Sequence, residues 1–178
     1  MAARWGSFIV MLIAAAALFG CGSGGGGGSA AGADLVRVTV TDDEGVEHVF
    51  FLEPALDNDT RLRGLSYRDE IAPDGGMAFF FTRAAKRDFV MRHCPIPIDI
   101  VYVDSLGIVV ARHAMLPEEP QAEGESDAAY DRRLRRYSSR SAVPTVLEFA
   151  GGTIDRLGID RGDTIEISDA RGWRERAR

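Results

Sequence analysis

Leu35–Glu53 reads LVRVTVTDDEGVEHVFFLE, with valine at 36, 38 and 40 and Arg37, Thr39 and Thr41 between them. Successive side chains of a strand point to opposite faces, so this alternation gives one apolar and one polar face, the pattern of a half-buried strand. Asp42-Asp43-Glu44-Gly45 supplies turn chemistry, and Val46–Glu53 returns as the second arm of a hairpin. A hairpin at the start of the body sets a β class for the rest of the chain.

Further strands are expected at Met77–Phe81, Arg87–Arg92, Ile98–Asp104, Gly107–His113, Thr145–Phe149 and Thr164–Ser168, bounded mainly by Gly, Pro, Asp and Ser. Asn58 or Asp59 caps a short helix through Arg63, which Gly64 ends and Leu65 closes with an apolar contact. Thr153 caps a second short helix to Leu157, with Gly158 at C′ and Ile159 supplying the Schellman contact. Eight short strands predict a mainly β, single-domain sandwich or barrel with two small helices. Pro117–Ser141 breaks the rhythm: Glu118, Glu119, Glu123, Glu125 and Asp127 precede Arg132, Arg133, Arg135, Arg136 and Arg140. Ser126 caps a helix over 127–137 whose Tyr130, Leu134 and Tyr137 share one face. This long helical insertion is either a solvated excursion with an aromatic stripe on the sheet, or a mobile lid or docking helix.

The chain has 178 residues and 21 basic against 27 acidic side chains, a formal charge of −6. That balance excludes a basic nucleic-acid binder, and the two cysteines cannot form a disulfide scaffold. At the N-terminus, Arg4 precedes the apolar run Phe8–Phe19 and then Gly20-Cys21. Twelve apolar residues rise about 18 Å as a helix, too short for a hydrocarbon core of roughly 30 Å but suited to a signal peptide. Leu18-Phe19-Gly20-Cys21 resembles a bacterial lipobox, which implies lipidation of Cys21. Residues 1–20 are thus expected as a signal peptide and residues 21–33 as the lipidated cysteine with a Gly/Ser-rich tether. Residues 34–169 form the folded domain and residues 170–178 a polar tail. Losing the leader removes Arg4 and no acid, so the body carries −7 (−6 − 1). A body of that charge is not drawn to anionic headgroups, and the acyl chains must hold it. The expected location is the periplasmic or extracellular face of a bacterial membrane. Its partners are then the membrane, through the lipid, and an unidentified small molecule or envelope protein.

Several segments together carry a family resemblance. Arg63–Arg68 (RGLSYR), Gly76–Phe81 (GMAFFF), Phe89–Ile100 (FVMRHCPIPIDI) and Val146–Thr153 (VLEFAGGT) are similar in order and spacing to the DUF192 (UPF0127) family, as are Leu157-Gly158-Ile159 and Gly162-Asp163. The resemblance implies a mostly β, jelly-roll-like sandwich, often behind an export signal, and brings no biochemical role. Val90, Arg92, His93 and Cys94 stand where that family usually has Trp, Lys, Asn and Thr.

Three sets of side chains are candidates for chemistry. Asp99 shares a strand face with Val101 and Val103, an expensive place for a carboxylate unless it is bonded or paired. It accepts amide hydrogens from its own loop or pairs with Arg63 or Arg92; alternatively it is a base or ligand anchor beside Arg63, Arg92 and His93. Cys94 is either a buried, inert thiol or one activated by Arg92 and His93, and an enzyme centred on Asp99 and Cys94 would require the second. Met91 with His93, and His113 with Met115, are each two apart on a strand; with Cys94 they form a soft donor set suited to Cu(I). Enzyme signatures are absent, so the favoured reading is a non-catalytic binding or accessory domain without a cofactor, with the copper carrier and the enzyme as alternatives.

Overall fold

The computed structural model describes residues 34–178. The proposed signal peptide, Cys21 and the tether lie outside the described residues. In chain order the elements are β1 (Val36–Thr41), β2 (Glu47–Ala55), α1 (Asn58–Arg63), β3 (Gly76–Phe89), β4 (Ile98–Val103), β5 (Val109–Met115), α2 (Asp127–Arg133), β6 (Tyr137–Ala150), α3 (Thr153–Leu157), β7 (Ile165–Ile167) and α4 (Ala170–Arg176). They build one curled, seven-stranded sheet in the order β5-β4-β6-β3-β2-β1-β7.

The opening hairpin forms as its alternation requires, with Val36 opposite Leu52 and Thr41 opposite Glu47. Asp42 Oδ1 accepts the amides of Glu44 and Val46 at 3.0 and 2.9 Å, which closes the turn. After α1 the chain returns to lay β3 parallel to the end of β2, while the other ladders are antiparallel. The sheet's edges meet at one corner: Ile108 bridges Thr164, and Ile165 donates to the Gly107 carbonyl at 2.8 Å. A Cβ on Gly107 would lie 2.7 Å from the Ile165 oxygen, so this approach needs glycine.

Strand alternation sorts the core into two layers. Val38, Phe50, Phe80, Val101, Leu147 and Phe149 face one side, where α3 adds Ile154 and Leu157 and α4 adds Trp173. Met77, Phe79, Ile98, Ile100, Tyr102 and Val146 face the other, covered by Leu65, Met91 and Cys94.

The mainly β class holds, with four differences of detail. Met77–Phe81 and the start of Arg87–Arg92 belong to one strand, because β6 pairs along its length through two register shifts. That strand stops at Phe89, so Met91 and His93 lie in the following turn rather than on a strand, and His93 has φ 52°. The long helical insertion is reduced to the seven residues of α2: Leu134 is already extended, and Tyr137 opposite Phe89 opens β6. The expected aromatic stripe is nonetheless buried at Tyr130, Leu134 and Tyr137. Residues 170–178 are not a polar tail. Asp169 caps α4, whose Trp173 is buried in a stack on Phe80 with ring centroids 5.9 Å apart.

Candidate binding site

On the sheet face carrying Met77 and Ile100, β6 presents Glu148 between these two neighbours. Its side chain belongs to a residue only 5 % exposed, and among the described residues no hydrogen bond or ion pair within 4 Å engages its carboxyl. Burial pushes its pKa up to about 8, and the more distant positive charge of Arg68 only partly offsets this. Arg68 itself is committed to a forked pair with Glu53. Sequence reasoning placed Thr145–Phe149 as a strand but passed over its one charged residue. The signal was there: an acid inside an apolar run on a central strand is costly, and proteins place such groups mostly where they are used.

Glu148 opens into a cavity of about 510 Å³. The end of α1 and the next turn contribute Arg61, Arg63, Leu65 and Ser66; β3 contributes Phe79, Phe81, Arg87 and Phe89. Met91, Arg92 and Cys94 come from the following turn, Ile98 from β4, and Asp131 and Arg136 from the insertion. Two turns are locked together beside it. Tyr67 and His93 both adopt positive φ, the Tyr67 amide donates to the His93 carbonyl at 2.8 Å, and their rings stack 4.7 Å apart. Ser66 Oγ donates to the Arg92 carbonyl at 2.7 Å. Left-handed backbone at two non-glycine residues costs about 1–3 kcal/mol each, and it persists here because each turn holds the other. The insertion docks on the same turn: Arg92 Nη1 is 3.1 Å from the Asp131 carboxylate, and the His93 amide reaches Tyr130 Oη at 3.2 Å.

Five guanidiniums line this cavity against two surface carboxylates, Asp88 and Asp131, and the buried Glu148. Arg61 is spent on the Phe80, Leu56 and Arg178 carbonyls. Arg63 makes no side-chain hydrogen bond or ion pair among the described residues. Arg87 lies over Phe81, its Cζ 3.5 Å from the ring centroid, with a buried Nε that has no partner. The result is an apolar floor with a cationic rim. A broader depression of about 600 Å³ near His48, Asp74, Gly152 and Arg156 contains no buried charged side chain.

The structure brings Arg63, Arg92 and Cys94 to the cavity and puts His93 beside it, but Asp99 lies on the opposite sheet face. There it is 1 % exposed, accepts the Ile154 amide at 2.7 Å and so caps α3, whose own N-cap is Gly152 rather than Thr153. Burial raises its pKa against the pull of these amides. It pairs with neither Arg63 nor Arg92. Burial, with help from the Glu148 charge, pushes the Cys94 thiol up to about 11, so it is protonated at neutral pH. Met91 and Met115 are buried in the same apolar cluster as Cys94. The imidazoles lie apart from one another, His93 between Tyr67 and Tyr130, and His113 between Tyr102 and Tyr137 with Nε2 on the Ser138 carbonyl. Among the described residues no group of three or more His, Cys, Asp or Glu is placed to hold a metal ion.

A curled, seven-stranded half-barrel with one arginine-rimmed cavity is the class these features define. Residues 38–167 match the model of DUF192, described as "Uncharacterized ACR", and the chain belongs to that family. Two crystal structures share the fold. A Sinorhizobium meliloti 1021 protein, provisionally assigned as a transcription regulator, is 30 % identical over 75 % of this chain and 93 % of its own, with a TM-score of 0.62. A protein of unknown function from Novosphingobium aromaticivorans DSM 12444 is 29 % identical over 77 % of this chain and 88 % of its own, also with a TM-score of 0.62. No curated protein matches the chain.

Proposed function

We propose that this protein is a lipid-anchored domain of the bacterial envelope that binds a small amphipathic ligand without transforming it. The observation that carries the binding role is the cavity: an apolar floor of Leu65, Phe79, Met91 and Ile98 under a rim with Arg63, Arg92 and Arg136. Such a site suits a ligand with an anionic head and an apolar body. The non-catalytic part is supported by a protonated Cys94, an Asp99 occupied by amide hydrogens, and no serine, threonine or cysteine side chain bonded to an imidazole among the described residues. The anchor rests on the lipobox-like sequence ending at Cys21.

The regulator assignment carried by the Sinorhizobium protein is a weaker guide for this chain. Helices among the described residues have at most seven residues, and the body is acidic, which does not suit major-groove reading of DNA.

Mass spectrometry of the protein from native membranes tests the anchor: an acylated Cys21 at the N-terminus supports it, and an unmodified Cys21 overturns it. For the cavity, octanoate is titrated calorimetrically into the full chain held in phosphatidylcholine nanodiscs, with empty discs as blank. Saturable binding that the pair Arg63→Ala and Arg92→Ala weakens at least tenfold is expected; no saturable binding to the parent overturns the site.

A further inference from the structure

Resting on that reading, we infer that the cavity selects a bifunctional amphiphile: an anionic head at the arginine rim and a second polar group, a hydroxyl or carbonyl, that hydrogen-bonds Glu148 inside. A plain fatty acid accounts for the rim and the floor but not for Glu148. That carboxyl belongs to a residue only 5 % exposed on a central strand, among Met77, Ile100 and Cys94, faces the cavity, and has no hydrogen-bond partner among the described residues. Leaving a buried polar group unmet is penalised, so an apolar residue of similar size would serve the fold better. The neighbours that could neutralise it do not: Arg68 is forked onto Glu53, Cys94 Sγ donates to the Arg92 carbonyl, and Tyr102 Oη donates to the Tyr137 carbonyl at 2.6 Å. The unbonded Glu148 carboxyl, which lines the cavity, points to a ligand with a polar atom beyond its head.

A neutral Glu148 carries both a donor and an acceptor, so it can take either a hydroxyl or a carbonyl. An ionised one would call for a cationic group, which the guanidinium rim repels. The geometry therefore favours an oxygen function over an amine at the inner end.

The experiment titrates matched pairs into the full chain in nanodiscs: straight-chain alkanoates of six to ten carbons, their ω-hydroxy derivatives, and the corresponding ω-amino acids. At one or more lengths the ω-hydroxy acid should bind at least tenfold more tightly than its parent alkanoate. Glu148→Leu should reverse that preference, and Glu148→Gln, which keeps a donor and an acceptor, should preserve it. Equal binding of hydroxylated and plain acids, or no change on Glu148→Leu, overturns the inference while leaving an anion-binding cavity in place. Preference for the ω-amino acids also overturns it. If no member of any series binds the parent, both this inference and the cavity assignment fall.

Discussion

Glu148 and Asp99 are both acids inside a β core, yet they do different work because of what faces them. Asp99 meets the amide of Ile154 and so holds the start of α3; among the described residues the Glu148 carboxyl has no hydrogen-bond partner. Asp99→Ala removes that acceptor and leaves buried amides unpaired, at a cost of about 2–3 kcal/mol, measurable as a lower urea midpoint; Asp99→Asn, which keeps an oxygen, should lose less. For Glu148 the sign runs the other way. Its folded pKa of about 8 lies above the ordinary 4.5, so stability is full below 4.5 and drains as pH rises towards 8, at about 1.4 kcal/mol per pH unit. The charges and titratable groups set around it, Arg68, Cys94 and Tyr102, keep their protonation across that window. Asp42, Glu53 and Asp57 have lowered pKa values and act with opposite sign only below it. Glu148→Gln should therefore reduce the slope of the stability profile between pH 5 and 8, read by urea unfolding at each pH, with Asp99, also raised by burial, keeping a share of the same sign. An unchanged slope would mean that Glu148 is solvated. Cys94 gives the plainest case: with Cys21 acylated, a thiol reagent at pH 7 should label nothing in the folded chain and one thiol after unfolding.

At the scale of elements, what was legible in the sequence obeyed local rules, and what was not depended on distant partners. The β1–β2 turn, the Gly64 stop of α1 and the Schellman end of α3, where Ile159 donates to the Ile154 carbonyl at 3.0 Å, are set by neighbouring residues. The continuity of β3 was not, because its exposed half from Thr82 to Asp88 is polar and is held in line by β6 some fifty residues later. Tyr137 fitted a helical stripe on spacing alone, but pairing with Phe89 claims it for β6. Arg63 and Arg92, candidates from the sequence, line the cavity, whereas Asp99 does accept an amide, but from α3 rather than from its own loop, a partner supplied by tertiary packing. α2 belongs to the same lesson. Its hold on the cavity runs through Arg92 to Asp131 and Asp127 and through Tyr130 to His93. Arg92→Ala removes half-exposed ion pairs worth about 1 kcal/mol, so trypsin should cut after Arg132–Arg136 roughly fivefold faster while the β body stays intact. Equal rates in parent and variant would rule out a hinged cover and leave α2 as a fixed wall.

For the whole molecule the question is how a sheet that curls without fully closing stays together. One corner is tied through Ile108 and Thr164, where Gly107 allows the approach. Another tie is the C-terminus, beyond the segment that matches the family model. Trp173 stacks on Phe80 of β3, Arg176 lies over the indole with Cζ 3.7 Å from the ring centroid, and Arg178 donates to the Leu56 carbonyl at 2.7 Å while its own carbonyl accepts from Arg61. Arg61 thereby joins this clasp to the cavity, since it lines the cavity and also holds the Phe80 carbonyl. Truncating a buried tryptophan costs about 3–5 kcal/mol, a large share of the 5–15 kcal/mol that stabilises a domain of this size. Trp173→Ala should therefore lower the urea midpoint sharply. Removing residues 170–178 should do the same, since Arg61 then also loses the Arg178 carbonyl. In the acylated protein Trp5 is gone with the leader, so Trp173 emission is a sole reporter of the parent's unfolding, and circular dichroism tracks the variants. A variant lacking 170–178 that unfolds at the parent's midpoint would show that the curled sheet needs no clasp at that end.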